Sequence, residues 1–176
     1  IIHAMNSAKA PIVALDLPTR QDALSLVDRL GGALTFNKGG SPAFTRCGPD
    51  IVRELRDRGN DVFLDLKYYD IPNTVAQAVE AAAELGVSLL TLHAGGGSAM
   101  MRAARQAAAT TGPKLLGVTL LTSFSASDVE TVWGKELRSL RDDVDRLAAL
   151  AAEAELDGVV ASALEAEALK RRHGSD

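Results

Sequence analysis

DVFLDLKYYDIPNT, residues 61–74, opens as an apolar strand and closes as a cluster of charges. Val62, Phe63, Leu64 and Leu66 supply the buried-strand signal, and Asp65, Lys67 and Asp70 break into it. Burying an ion is costly unless it is paired, so charges at this density imply partners or a task. Asp65 and Lys67 are two apart, which on an extended strand places both side chains on one face. Asp70 lies just beyond, where Pro72 begins the next element. The C-terminal end of a strand is where a β/α enzyme places its chemistry.

Working outward, strand and helix signals alternate. PIVALD (11–16), ALTFNK (33–38), SLLTLHA (88–94), KLLGVTLL (114–121) and DGVVAS (157–162) are further strand candidates. A helix over 19–30 takes Thr19 as its N-cap and Gly31-Gly32 as its stop. A second, over about 42–58, ends at Gly59 with Arg53, Arg56 and Arg58 toward its C-terminus, as the helix dipole favours. An Ala-rich helix over 72–85 has Pro72 early, where its missing N–H costs little, and Gly86 closes it. Gly95 to Gly97 read as a tight turn into a helix ending near residue 110. A short helix over 125–132 and longer ones over 141–155 and 164–172 complete the pattern.

These are six successive β–α units whose strands are near-continuous apolar runs, the mark of parallel strands covered by helices. An open doubly wound sheet and a (β/α)8 barrel both fit. The first βα turn, LDLPTR, lacks the glycine fingerprint of a dinucleotide fold. Polar residues end strand after strand: Asp16, Lys38, Asp65 with Lys67, His93, and Thr122 with Ser123. Several strand ends converging on one site suit a TIM barrel, which is the expected α/β architecture.

The 176 residues are 47% hydrophobic and 24% charged, enough for one sizeable core. Residues 11–176 are expected to form a single barrel domain behind an extension, 1–10, in which Met5 is a candidate native start. The net charge of −4 argues against a nucleic-acid partner, while a local basic pocket for an anionic small molecule stays open. The single cysteine, Cys47, rules out an internal disulfide and a multi-cysteine zinc site, and reads as packing filler. The reducing cytoplasm is the expected compartment. No apolar run reaches the roughly 18 residues of a membrane span, and IIHAMNSAKA is neither a signal nor a transit peptide.

Asp65, Lys67 and Asp70 have a bland reading, a structural ion-pair cluster. Lys38 at the end of another strand shifts the balance, because alternating Lys and Asp charges hold one another ionised. Such an array aims negative charge at one part of a ligand and a proton donor at another. His93 reads as a core or supporting residue. His3 and His173 read as solvent-exposed, and Asp142/Asp143 and Glu165/Glu167 as solvated helix faces.

The same stretch resembles the signature of the orotidine 5′-monophosphate decarboxylase family, D-x-K-x-x-D-I-P-x-T at the end of the third barrel strand. ALD (14–16), FNKGG (36–40), LHAGGG (92–97), VTLLTS (118–123) and LDGVVASALEA (156–166) are similar to the family's other strand ends. The glycines after Lys38 depart from the commoner K-V-G. The resemblance runs from Pro11 onward and implies decarboxylation of orotidine 5′-monophosphate without metal or organic cofactor. It implies Lys67 as the proton donor, Asp65 against the substrate carboxylate, and Lys38 holding Asp65 ionised and touching the ribose. Asp16 would bind ribose hydroxyls, and Thr122 and Ser123 the pyrimidine. Asp70, Ile71 and Thr74 would complete the substrate site of a partner subunit in a homodimer, and Asn73 would bind substrate. It also implies a phosphate grip on two further strands, which cannot be placed here; Arg171 and Arg172 fall on the sixth unit's helix. The native protein is therefore expected to be longer. Three alternatives remain at this point: a magnesium-dependent sugar-phosphate lyase of the same barrel group, a Schiff-base aldolase using Lys67, and an inactive fragment with a binding role.

Overall fold

The computed structural model describes residues 11–134, 136 and 139–174; the 1–10 extension with Met5 and His3 lies outside them. In chain order the elements are β1 (Val13–Ala14), α1 (Arg20–Leu30), β2 (Phe36–Gly40), α2 (Ser41–Cys47), α3 (Asp50–Asp57), β3 (Asp61–Tyr68) and α4 (Pro72–Glu84). There follow β4 (Leu89–His93), α5 (Gly97–Ala108), β5 (Lys114–Val118), α6 (Ala126–Trp133), α7 (Leu140–Glu153), β6 (Gly158–Val160) and α8 (Ala163–His173).

All strand pairs are parallel, and the sheet order is β1-β2-β3-β4-β5-β6. Each strand is laid beside the one before it. A doubly wound sheet reverses its winding at a switch point, whereas a barrel never does. The order therefore decides for the barrel architecture, of which the described residues supply six β/α units.

Local chemistry explains most boundaries. Thr19 caps α1 through a hydrogen bond from the Asp22 N–H to its hydroxyl, and Gly31 ends it at a φ of 52°. Pro72 occupies the first turn of α4. Ser125, Ser139 and Ser162 cap α6, α7 and α8, satisfying N–H groups that have no partner inside the helix.

One expected helix is two. The pattern over 42–58 breaks at Gly48-Pro49 into α2 and α3. Gly48, at φ 62°, donates its N–H to the Phe44 carbonyl as a C-terminal cap, and Pro49, with no N–H to lose, precedes the next helix. The strands β1, β5 and β6 are also shorter than their apolar runs, and β2 starts later and extends to Gly40.

Leu64, Leu90, Leu92, Leu115, Val79, Met100 and Met101 form the centre of a contiguous apolar cluster between sheet and helices. Cys47, half-buried, packs against this cluster as filler. Among the described residues, no helix is long and apolar enough to cross a membrane.

Candidate active site

The C-terminal ends of β1, β2 and β3 bring four charges into one line. Lys67 Nζ donates to Asp65 Oδ1 at 2.8 Å. Lys38 Nζ lies 3.5 Å from Asp65 Oδ2 and 3.7 Å from Asp16 Oδ2. The order Asp16–Lys38–Asp65–Lys67 thus alternates in sign across three adjacent strands. Its inner carboxylate is well covered, with 15% of the Asp65 side chain exposed, against 56% for Asp16. Burial pushes the Asp65 carboxyl up, but hydrogen bonds from Lys67 and Thr91 and the charges of Lys67 and Lys38 together outweigh it. The net result is an acid held below the usual carboxylate range and therefore ionised near neutral pH.

Gly40 ends β2 against this line. A Cβ there would stand 3.3 Å from Asp16 Oδ1 and 3.6 Å from Lys38 Nζ, so the close approach of the two charges depends on a residue without a side chain.

Asp65 and Lys67 do meet, but not through the flat alternation of a regular strand. Lys67 has φ 51°, the left-handed region, which costs a residue with a Cβ roughly 1–2 kcal/mol. The β3–β4 register slips at the same place, between Leu64 and Tyr68. Thr91, fully buried on β4, fills the irregularity: it accepts the Lys67 N–H at 2.9 Å and donates to Asp65 Oδ1 at 2.9 Å. Thr91 is not among the residues expected in the site. Its signal was there, a polar residue inside the apolar run SLLTLHA.

Asp70 is exposed and accepts the N–H of Ile71 at 2.7 Å; within its own chain it stands apart from the line of charges. Ile71, Asn73 and Thr74 are exposed beside it. Thr122 and Ser123 are exposed on the segment between β5 and α6. The chain itself therefore assembles Asp16, Lys38, Asp65 and Lys67, and leaves the other expected site residues on the surface.

A cavity of about 430 Å³ is walled by Tyr69, His93, Leu121, Phe124, Trp133 and Arg146 among others, and by none of the four charged residues of the line. Tyr69 lies over His93 with ring centroids 5.5 Å apart and donates its hydroxyl to the Gly95 carbonyl at 3.4 Å. Burial, then the charge of Lys67, hold the His93 imidazole below its usual value, hence neutral near pH 7. Tyr68 packs inward, and burial pushes its phenol up.

Two expectations about surface charges need correction, and a third gains a partner. Asp143 is buried rather than solvated, and pairs with Arg146 at 3.2 Å. Glu165 is a helix cap: its carboxylate accepts the Ser162 N–H at 3.0 Å. His173 is exposed as expected, yet it and Arg172 both bind Asp145, at 3.0 and 2.8 Å, and tie α8 to α7.

A parallel barrel arc with alternating lysines and carboxylates at its C-terminal strand ends defines a β/α-barrel enzyme. The profile of the orotidine 5′-phosphate decarboxylase / HUMPS family matches residues 9–176, and the chain belongs to that family. Orotidine 5′-phosphate decarboxylase of Pseudomonas fluorescens strain Pf-5 is 50% identical over 175 residues, covering 97% of this chain and 74% of that protein. Among solved structures, the orotidine 5′-phosphate decarboxylase of Lactobacillus acidophilus superposes with a TM-score of 0.88 at 36% identity, covering 96% of this chain and 78% of that one. An uncharacterized conserved protein of Geobacillus kaustophilus superposes with a TM-score of 0.87 at 41% identity, over 93% and 78% of the two chains.

Proposed function

We infer that this chain is a carboxy-lyase that converts orotidine 5′-monophosphate to uridine 5′-monophosphate, the last step of de novo pyrimidine synthesis. The observation that carries the reading is the line Asp16–Lys38–Asp65–Lys67, with Lys67 Nζ 2.8 Å from an ionised Asp65, in a chain whose relatives bear that name. In the proposed reaction the bond from C6 to the carboxylate breaks, CO₂ leaves, and the electron pair stays on C6. Lys67 stabilises that developing charge and then delivers a proton to C6. Fixed charges aimed at a developing carbanion act without reorganisation, the usual largest source of catalysis.

Asp65 in this reading stands against the substrate carboxylate, a contact that disappears as CO₂ departs. Lys38 keeps Asp65 ionised and reaches the ribose, and Asp16 binds ribose hydroxyls. Thr122 and Ser123 meet the pyrimidine. Asp70, Ile71, Asn73 and Thr74, exposed here, complete the site of a second copy in a homodimer. Neither metal nor organic cofactor enters the proposed step, and the cytoplasm is the proposed compartment.

The test is loss of orotidine 5′-monophosphate absorbance with purified chain, wild type beside Lys67→Ala. We expect turnover that survives EDTA and a fall of at least about a thousandfold in Lys67→Ala with unchanged far-ultraviolet circular dichroism. Wild-type-like turnover in that variant removes Lys67 from the mechanism. Activity abolished by EDTA and restored by Mg²⁺ turns the reading toward a sugar-phosphate lyase.

A further inference from the structure

The β3–β4 pairing is regular at Leu64↔Leu90 and resumes at Tyr68↔Leu92. Three residues of β3, Asp65, Leu66 and Lys67, therefore face a single residue of β4, Thr91. An insertion of this kind bends the strand and leaves ladder groups without their backbone partners. It falls on the two residues at the centre of the site, and it turns Lys67 into the left-handed region at φ 51°.

The Thr91 hydroxyl does the work of the absent ladder. The Lys67 N–H can only donate, so Thr91 Oγ1 accepts it, at 2.9 Å. The hydroxyl has one proton of its own, and that proton goes to Asp65 Oδ1, also at 2.9 Å. Asp65 Oδ1 thus receives both Thr91 Oγ1 and Lys67 Nζ, and Oδ2 is left facing Lys38. Thr91 is fully buried, so water cannot replace it without rearrangement.

We propose that Thr91 is a positioning residue, whose buried hydroxyl locks the β3 bulge so that the Lys67 backbone and the Asp65 carboxylate are held as one rigid unit. Thr91 touches no reacting atom in this scheme; it acts through its two neighbours. The charged and titratable groups around Asp65 are Lys67 from β3, Lys38 from β2, Asp16 behind it from β1, and His93 two residues beyond Thr91 on β4. Replacing threonine by valine keeps the shape and removes only the hydroxyl.

The kinetic consequence rests on the decarboxylase reading, and the structural one does not, so both are measured on Thr91→Val and Thr91→Ser in the full chain. In the unliganded protein, carbon-13 titration of Asp65, assigned with Asp65→Asn, should show its midpoint move upward in Thr91→Val and stay near wild type in Thr91→Ser. Exchange of the Lys67 amide hydrogen should accelerate about tenfold or more in Thr91→Val only. With orotidine 5′-monophosphate, kcat should fall about ten- to a hundredfold in Thr91→Val, with KM changed less than about threefold, and Thr91→Ser should restore it. An unmoved Asp65 midpoint and unmoved Lys67 exchange in folded Thr91→Val overturn the proposal, whatever the activity. If Thr91→Val does not fold, Thr91→Cys, of similar size with a weak donor, is read by the same criteria. Absence of turnover in wild type counts against the decarboxylase reading alone, because titration and exchange still decide Thr91.

Discussion

Asp65 is the residue on which the site turns. Its burial alone would favour the neutral acid; two hydrogen bonds and two ammonium charges reverse that. A carboxyl whose folded-state value is depressed contributes stability that is present above the unfolded value, near about pH 4, and lost as pH falls through the folded value. We therefore expect wild type to lose stability steeply below about pH 4 in urea titrations, and Asp65→Asn to show a shallower loss in that window. Identical slopes would mean that the partners of Asp65 do not hold it ionised. His93 adds a second slope at higher pH. Its folded-state value is also depressed, so stability is full above about pH 6.5 and declines as pH falls below it. At this scale the charged residues were legible in the sequence, because ions in an apolar strand stand out. Thr91 was not singled out, because a lone threonine in a strand is ordinary until its two bonds are seen.

At the scale of elements, caps and breaks were written locally. Thr19, Pro72 and Gly86 mark their helices as the residue chemistry requires. Gly48-Pro49 carried the same kind of signal, but the apolar pattern runs on through Ile51, Val52 and Leu55, and the break became plain only in the fold. The cap of α8 offers a quantitative check. Ser162 Oγ accepts from the Leu164 N–H at 3.3 Å while Glu165 answers to the Ser162 N–H. Ser162→Ala should cost about 1 kcal/mol and lower Tm by about 2–4 °C in a thermal melt, and a variant that melts with wild type would deny the cap an energetic role. The β3 bulge lies beyond this kind of reading. A register slip is a relation between two strands, and neither strand's sequence states it alone.

For the whole molecule, the sequential strand order explains why the charges converge. Winding always in one sense brings the C-terminal ends of β1, β2 and β3 side by side, so that Asp16, Lys38 and Asp65 come within ion-pair distance across 49 positions of sequence. The same winding leaves Asp70 and Ile71 outside, with Ile71 66% exposed, as a shared site in the proposed homodimer requires. Mixing Lys67→Ala with Asp70→Asn subunits, each inactive, should then restore roughly a quarter of wild-type activity, since half the dimers are mixed and one of their two sites is intact. No recovery despite demonstrated subunit exchange would place Asp70 outside the neighbouring site.

By itself the sequence determined the alternation of strands and helices, the caps, the parallel apolar strands and the charged signature from Asp65 to Thr74. These depend on residue type and spacing within a few turns, which is the range over which propensity and hydrophobic periodicity act. Only the tertiary structure decided the strand order, the break between α2 and α3, the approach of Lys38 to Asp65, and the fit of Thr91 into the bulge beneath Lys67. Those depend on which surfaces face each other once the core closes, and on a buried hydroxyl having nowhere to turn except to the N–H and the carboxylate beside it.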